Sequence, residues 1–384
     1  MTNAFSLFST LKDRIARREA RIATVGLGYV GLPLALTISE AGFATTGIDL
    51  NAARVAAINA GERVISYFAE DRIATAVAGG RFAATSDFKV LAETDIILIC
   101  VPTPLSPARE PDLSYVVRAA EGISDWLRPG QLVVLESTVW PGATATVVRP
   151  ILERHGLRAG EDFFLAFSPE REDPGNHAFD TKSIPKIVGA DDTRSRELID
   201  MFYSRIVART VPVSSLATAE AVKLAENTFR TVNIALVNEL KVAMEAMGVD
   251  IWEVVRAAAT KPFGYMPFYP GPGIGGDCIP VSPVFLSWRA KDVGHARRPC
   301  RCRTVEGWHR RQGRAHPDPG RLLQEGHRGH PRKPRTRHSR TARGDGRDLR
   351  LSRPVFPGDA ADAGPPAPGR ARLGRADRGC GRCL

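Results

Sequence analysis

Only two cysteines, Cys100 and Cys278, occur in the first 294 residues of this 384-residue chain. That scarcity excludes a disulfide framework there and fits a reducing compartment, the cytoplasm. No stretch approaches the ~18–20 apolar residues of a membrane span, which counts against membrane insertion. The N-terminal MTNAFSLFSTLKDRIARREA lacks an apolar core followed by a small-residue cleavage site. It does not read as a secretory signal. It reads as an amphipathic lead-in helix within residues 1–20. The last ninety residues are poor in other ways. His295 to Leu384 contain no Ile, Met, Asn or Tyr, and Trp308 and Phe356 are their only Trp, Tyr or Phe.

The chain carries a formal +11, which taken alone points to an acidic partner. The charge is not spread, however. Residues 295–384 carry +15, so residues 1–294 carry −4. Arg, Pro and Gly fill half of that tail, and hydrophobic periodicity is almost absent. The expected state is irregular and disordered. Arg, Pro, Gly and Ala have GC-rich codons, so the abrupt change reads as a frameshift product. The rival reading is a basic arm for nucleic acid. The shortage of stacking aromatics counts against it. Cys300, Cys302, Cys380 and Cys383 form widely separated CxC and CxxC pairs with no ordered scaffold between them, so no metal site is expected.

Residues 21–213 alternate strand and helix. RIATVG (21–26), FATTGID (43–49), DIILICV (95–101) and QLVVLEST (131–138) are rich in Val, Ile and Leu, as doubly buried parallel strands must be. FFLAFSPE (163–170), KIVGA (186–190) and RIVARTVPV (205–213) read as further strands. Helical stretches lie near 29–41, 51–60, 70–78, 113–127 and 192–204, with Asp112 as N-cap of the fourth. The expected fold is α/β, a Rossmann-type doubly wound parallel sheet. Residues 214–294 read as a central helical domain. From Ser214 to about Met247 no Pro or Gly interrupts a helical pattern. A helix that long, against an average of ~10–14 residues, bridges domains or builds a dimer interface.

The first strand runs into Gly26-Leu27-Gly28-Tyr29-Val30-Gly31, a GxGxxG. It opens a helix and precedes Asp49 at the end of the second strand. That is the context a dinucleotide fingerprint requires. Gly26 permits the tight turn, Gly28 lets the backbone approach a pyrophosphate, and Gly31 allows close helix–strand packing. The helix N-terminus offers N–H groups and a positive dipole end to phosphates. Asp49 suits both ribose hydroxyls, which favours NAD over NADP. The bland reading is a Gly-rich turn with no ligand.

Cys278, in Gly275-Gly276-Asp277-Cys278, has flanking glycines and an adjacent acid. These suit a nucleophile on an exposed loop better than a core thiol, although a free Cys is often simply buried. Lys223 and Asn227 lie four apart on one helix face, an arrangement able to hold an oxyanion. Glu170 follows Ser-Pro at a strand end, where a carboxylate can act as base. For all three the commoner reading is a solvated surface residue.

GLGYVGLPLA, CVPTP, STVWPG, FSPERED, AEAVKLAENTFR and GPGIGGDCIP stand in the order seen in the UDP-glucose/GDP-mannose dehydrogenase family. The resemblance covers about residues 15–294. FSPEREDPGN and KPFGYMPFYPGPGIGG are most similar to its bacterial UDP-N-acetylglucosamine 6-dehydrogenase branch. It implies oxidation of a UDP-sugar C6 alcohol to a carboxylate in two NAD-dependent steps. Cys278 would form a thiohemiacetal and then a thioester. Lys223 and Asn227 would hold the oxyanion, and Glu170 would activate water or transfer a proton. Thr138 would position water. The implied cofactor set is Gly26, Gly28, Tyr29, Val30, Gly31, Asp49, Arg54, Thr103 and Thr138. The implied substrate set is Glu170, Lys223, Asn227, Phe268, Tyr269 and Gly273. The implied assembly is a homodimer through the long central helix.

Three departures follow from the same alignment of motifs. Ser282 stands where the family has an Asp, and it lacks an ionisable group to act as base. Asp277 places a negative charge beside the nucleophile, which disfavours the thiolate. From residue 295 the resemblance stops where the family continues into a UDP-binding domain. The alternative reading is therefore an inactive NAD-binding remnant lacking that domain.

Overall fold

The apolar runs become short strands, and the helices between them cover both faces. The computed structural model describes residues 2–65, 71–171, 181–275 and 279–295. Cys278, Asp277, most of the REDPGN loop and all of the tail beyond His295 lie outside the described residues. In chain order the first elements are α1 (Thr2–Arg17), β1 (Arg21–Val25), α2 (Gly31–Glu40), β2 (Ala44–Ile48), α3 (Ala52–Asn59), α4 (Arg72–Ala78) and β3 (Phe82–Thr85). There follow β4 (Ile96–Ile99), α5 (Ser114–Ser124), β5 (Leu132–Leu135), α6 (Arg149–Leu152), β6 (Phe164–Phe167), β7 (Lys186–Gly189), α7 (Thr193–Tyr203) and β8 (Thr210–Val213). The helices α8 (Leu216–Ala246), α9 (Ile251–Ala258) and α10 (Ser282–Asp292) come last.

The strands form one sheet in the order β3-β2-β1-β4-β5-β6-β7-β8. Its first six strands have the dinucleotide-binding order, with the reversal between β1 and β4. Register is continuous across the centre, with Val25 opposite Ile99 and Ile99 opposite Leu135, which faces Phe167. Side chains alternate between two cores. Ile97, Ile99, Val133 and Leu135 face α5 and the start of α8. Leu98, Val134, Phe164 and Ala166 face α1, α2 and α7. α2 is apolar nearly all round, with nine of its ten residues buried. Leu34 and Ile38 join the core shared with α7, while Leu32 and Leu36 pack on Ile58 and Phe82. Truncating Leu36 to Ala would cost about 2–5 kcal/mol.

Some expectations needed correction. The sheet is not wholly parallel, because β6 and β7 pair antiparallel and meet at Phe167 and Gly189. β7 therefore runs out past the C-terminal end of β6, towards Glu170. RIVARTVPV is strand only from Thr210. Ile206 and Val207 both bond their N–H groups to the Tyr203 carbonyl at 2.9 Å, closing a turn after α7 that buries both side chains. Pro212 sits in β8, at the sheet edge, where a missing N–H is tolerated. Asp112 accepts from Ser114 N at 2.8 Å but lies two residues before α5 begins, and Leu113 holds the N-cap position. β3, α6 and α10 have no counterpart among the expected elements.

α8 has 31 residues and is about 46 Å long at 1.5 Å per residue. Ser215 caps it by accepting from Thr218 N at 3.1 Å. Its first half is buried against the sheet domain. Its second half shares a small core of Val237, Ile251 and Val255 with α9.

Candidate active site

The C-terminal ends of the central strands carry the expected cofactor residues. Gly26 has a φ of +94°, which favours glycine, and its N–H bonds to Ile48 O at 2.8 Å. Leu32 N bonds back to Gly28 O, so the first helical bond of α2 closes on the glycine turn and the preceding amides face outward. Leu27 is held at both ends. Its N–H bonds to Asp49 Oδ2 at 3.0 Å and its carbonyl accepts from Arg54 Nη1 at 2.9 Å. Arg54 thus braces the loop. Asp49 also accepts from Asn51 N at 2.9 Å, and a carboxylate with about four acceptor positions has others left for hydroxyl donors. Tyr29 is exposed and Val30 half-buried at the mouth of the turn. Thr103 and Thr138, both half-buried, follow β4 and β5. Ser137 Oγ donates to Val101 O at 2.7 Å and ties those two loops together.

A second group lies along one face of α8. Lys223, Asn227 and Thr231 repeat every four residues and are all buried. Lys223 Nζ donates to the Glu170 carbonyl. Asn227 Nδ2 donates to Ser282 Oγ at 2.9 Å, and Thr231 Oγ1 donates to Ile279 O at 3.1 Å. Ile279 is the sequence neighbour of Cys278. Arg171 Nη2 donates to Glu226 Oε1 at 2.5 Å and Arg171 Nη1 to Pro185 O at 2.6 Å, fastening the Glu170 loop to α8. Ser282, the departure noted in the sequence, is fully buried and receives the Asn227 amide.

Glu170, Lys223 and Asn227 are thus brought together with the segment that starts at Ile279. Phe268 and Tyr269 pack further along. Phe268 meets Phe229 edge-on at 5.8 Å, and Tyr269 stacks on Trp252 at 6.0 Å. Gly273 is half-buried in the same loop. The other body cysteine is no nucleophile. Burial, with Glu136 nearby, pushes the Cys100 thiol well above its ordinary range, so it stays protonated.

Sequence reasoning missed Glu220. Its buried carboxylate accepts from Gly142 N at 2.5 Å, Thr144 N at 2.8 Å and Thr144 Oγ1 at 2.6 Å. Burial raises its pKa, against the pull of those donors. It fixes the loop that follows Thr138 to the helix that carries Lys223. A carboxylate three residues before Lys223, on the same helix face, was the available signal.

Two family models match the chain. Residues 20–207 match the NAD binding domain of the UDP-glucose/GDP-mannose dehydrogenase family, and residues 217–303 match its central domain. The chain belongs to the UDP-glucose/GDP-mannose dehydrogenase family. It is 39% identical over 280 residues to UDP-N-acetyl-D-glucosamine 6-dehydrogenase of Pseudomonas aeruginosa, covering 72% of this chain and 65% of that protein. The solved structure of a UDP-D-ManNAc dehydrogenase from Pyrococcus horikoshii matches with a TM-score of 0.67 and 37% identity, over 71% of this chain and 65% of that one. A UDP-glucose dehydrogenase from Pyrobaculum islandicum matches with a TM-score of 0.68 and 27% identity, over 80% and 71%. The chain spans just under two thirds of the length of the first two of these relatives.

As in that family, the cofactor is NAD, and the turn after β1 fits it. A Cβ at Gly28 would meet nothing within 4 Å, so the turn leaves open space where a pyrophosphate can approach the backbone. Cβ atoms at Gly26 and Gly31 would collide with backbone, so those two glycines close the turn. Among the described residues no cluster of His, Cys, Asp and Glu could hold a metal ion, and no helix is long and apolar enough to cross a membrane.

Proposed function

We propose that this chain is an NAD-dependent nucleotide-sugar 6-dehydrogenase. It oxidises the C6 hydroxyl of a UDP-N-acetylhexosamine to a carboxylate. One observation carries the reading: a single buried face of α8 joins Glu170, through Lys223, to Ser282 and Ile279, through Asn227 and Thr231. The Lys223 ammonium, held by the Glu170 backbone carbonyl, and the Asn227 amide then share that face with the segment that follows Cys278 in sequence. The relatives named for UDP-GlcNAc and UDP-ManNAc support the substrate class.

NAD, when bound, supplies the hydride acceptor. Glu170 takes the proton released as the C6 hydroxyl becomes an aldehyde. The Cys278 thiolate adds to that aldehyde, forming a C–S bond and a tetrahedral oxyanion. Lys223 and Asn227 stabilise the oxyanion where charge develops. Loss of a second hydride leaves a thioester. Glu170 passes its first proton to solvent, then deprotonates a water positioned by Thr138, which adds to the thioester carbon. The C–S bond breaks, its electron pair leaves with sulfur, and the thiolate is restored. In sum, one alcohol and one water become one carboxylate, with two hydrides and three protons released.

The active unit is a homodimer formed through α8. Phe229, Leu236 and Leu240 are 49%, 52% and 39% exposed, and their spacing sets them on one stripe of that helix. An exposed apolar stripe of this kind fits a partner helix.

The test incubates the purified chain with NAD and UDP-GlcNAc, UDP-ManNAc or UDP-glucose, with product mass as readout. A product two hydrogens lighter and one oxygen heavier from an N-acetylhexosamine supports the reading. NAD binding with no product from any of the three would overturn it.

A further inference from the structure

A buried ion pair lies beneath the loop that carries Glu170. Glu136 follows β5, and Lys186 opens β7. Lys186 Nζ donates to Glu136 Oε2 at 2.6 Å, with side-chain exposures of 5% and 0%. Tyr203, at the end of α7, donates its hydroxyl to the other oxygen of Glu136. The same ammonium is 3.5 Å from the Pro169 carbonyl and 4.0 Å from Glu170 Oε2. One cation therefore faces two carboxylates, one sealed in the core and one at the candidate active site. Cys100 is the remaining titratable group in this cluster.

The fold explains how these residues meet. Glu136 takes the sheet position after Leu135, on the face covered by α7, where Val134 also points. The antiparallel meeting of β6 and β7 carries Lys186 beyond the end of β6, to the start of the Glu170 loop. Burial works against the Lys186 charge, but the carboxylates of Glu136 and Glu170 outweigh it and hold the ammonium protonated. Such a pair adds little net stability, because desolvation offsets its attraction. The pair does supply a fixed charge next to Glu170.

We propose that Lys186 is a positioning residue for the oxidation: anchored by Glu136 and Tyr203, its ammonium fixes the Glu170 carboxylate and the Pro169 carbonyl. Arg171 N holds Glu170 Oε1 at 2.6 Å, and Lys223 holds the Glu170 carbonyl. Lys186 orients the other carboxylate oxygen, Oε2. This inference rests on the proposed function.

Lys186→Met alone would leave Glu136 as a buried charge without its cation and would destabilise the sheet for that reason. The test therefore pairs Lys186→Met with Glu136→Gln in the full chain, which removes both charges and leaves Tyr203 an acceptor. The paired variant is expected to bind NAD within about two-fold of the parent, to lose at least about ten-fold in kcat, and to change KM for the UDP-sugar less than about three-fold. In a Glu170→Gln background the same pair should lower kcat by less than about three-fold more, because Lys186 acts through Glu170. Tyr203→Phe, which keeps both charges, should show the same pattern at smaller size. Equal losses with and without Glu170, or unchanged kcat in both the paired variant and Tyr203→Phe, would overturn the positioning role alone. No turnover by the unaltered chain would overturn the function reading and this inference with it.

Discussion

Replacing Gly31 by Ala sets a methyl well inside contact distance of the Gly26 carbonyl oxygen and 2.9 Å from Cys100 Cβ. Neither neighbour can give way. Gly26 is fixed by its bond to Ile48 O, and Cys100 is buried in the sheet core. Overpacking typically costs 1–3 kcal/mol, and a clash with backbone puts this site at about 3 kcal/mol or more. For a domain of this size that is a fall in Tm of roughly 6–12 °C. Gly28→Ala makes the opposite case. Its Cβ meets nothing within 4 Å and its φ lies outside the left-handed region, so the fold should be unchanged or gain up to about 1 kcal/mol. The methyl would instead occupy the space left for the pyrophosphate. NAD affinity should fall at least about tenfold, or ~1.4 kcal/mol. Thermal melting reads the first effect, and calorimetric titration with NAD reads the second. Parent-like NAD affinity in Gly28→Ala, or a parent-like Tm in Gly31→Ala, would refute the assignment of roles within the turn.

Four further outcomes follow from the same geometry. Asp49→Asn should weaken NAD binding by about 1–2 kcal/mol in the same titration, since a charged acceptor for the ribose becomes a neutral one. Cys278→Ala should bind NAD as the parent does yet form no carboxylate by mass spectrometry; retained acid would remove Cys278 as the nucleophile. Leu236→Glu with Leu240→Glu should shift the chain to monomer in light scattering, and an unchanged mass would move the interface elsewhere. Burial opposes the Glu40 charge, but Lys182 at 2.7 Å and Arg72 at 2.9 Å outweigh it and hold its pKa below the ordinary 4.5. Its contribution is then present above pH ~4.5 and lost as pH falls through the lowered value. The urea stability of the parent should exceed that of Glu40→Gln by about 0.5 kcal/mol at pH 7, the pair being partly exposed, and the difference should shrink away once the pH falls below the lowered value.

The cofactor site was legible because its residues are local in sequence. GLGYVG and Asp49 fall on either side of one helix, and each strand end could be read from a Val, Ile and Leu run. Lys223 and Asn227 were legible because helical spacing alone sets them on one face. Short elements were not. FAAT (82–85) has four residues and no Val, Ile or Leu. RIVARTVPV has the composition of a strand, but a turn after α7 takes its first half, because two backbone N–H groups find the Tyr203 carbonyl. The Glu136–Lys186–Tyr203 cluster was out of reach for another reason. Its members lie 50 and 67 residues apart, on three elements, and only the antiparallel placement of β7 joins them. Glu136 did leave a trace, as a carboxylate ending an otherwise apolar LVVLE.

The central claim is two successive oxidations at one carbon through Cys278. NADH absorbance, read against the sugar consumed when limiting UDP-N-acetylhexosamine is mixed with the chain and excess NAD, tests it most directly. The account predicts two NADH for each sugar, with a uronate as the product. One NADH per sugar, or none, would contradict it.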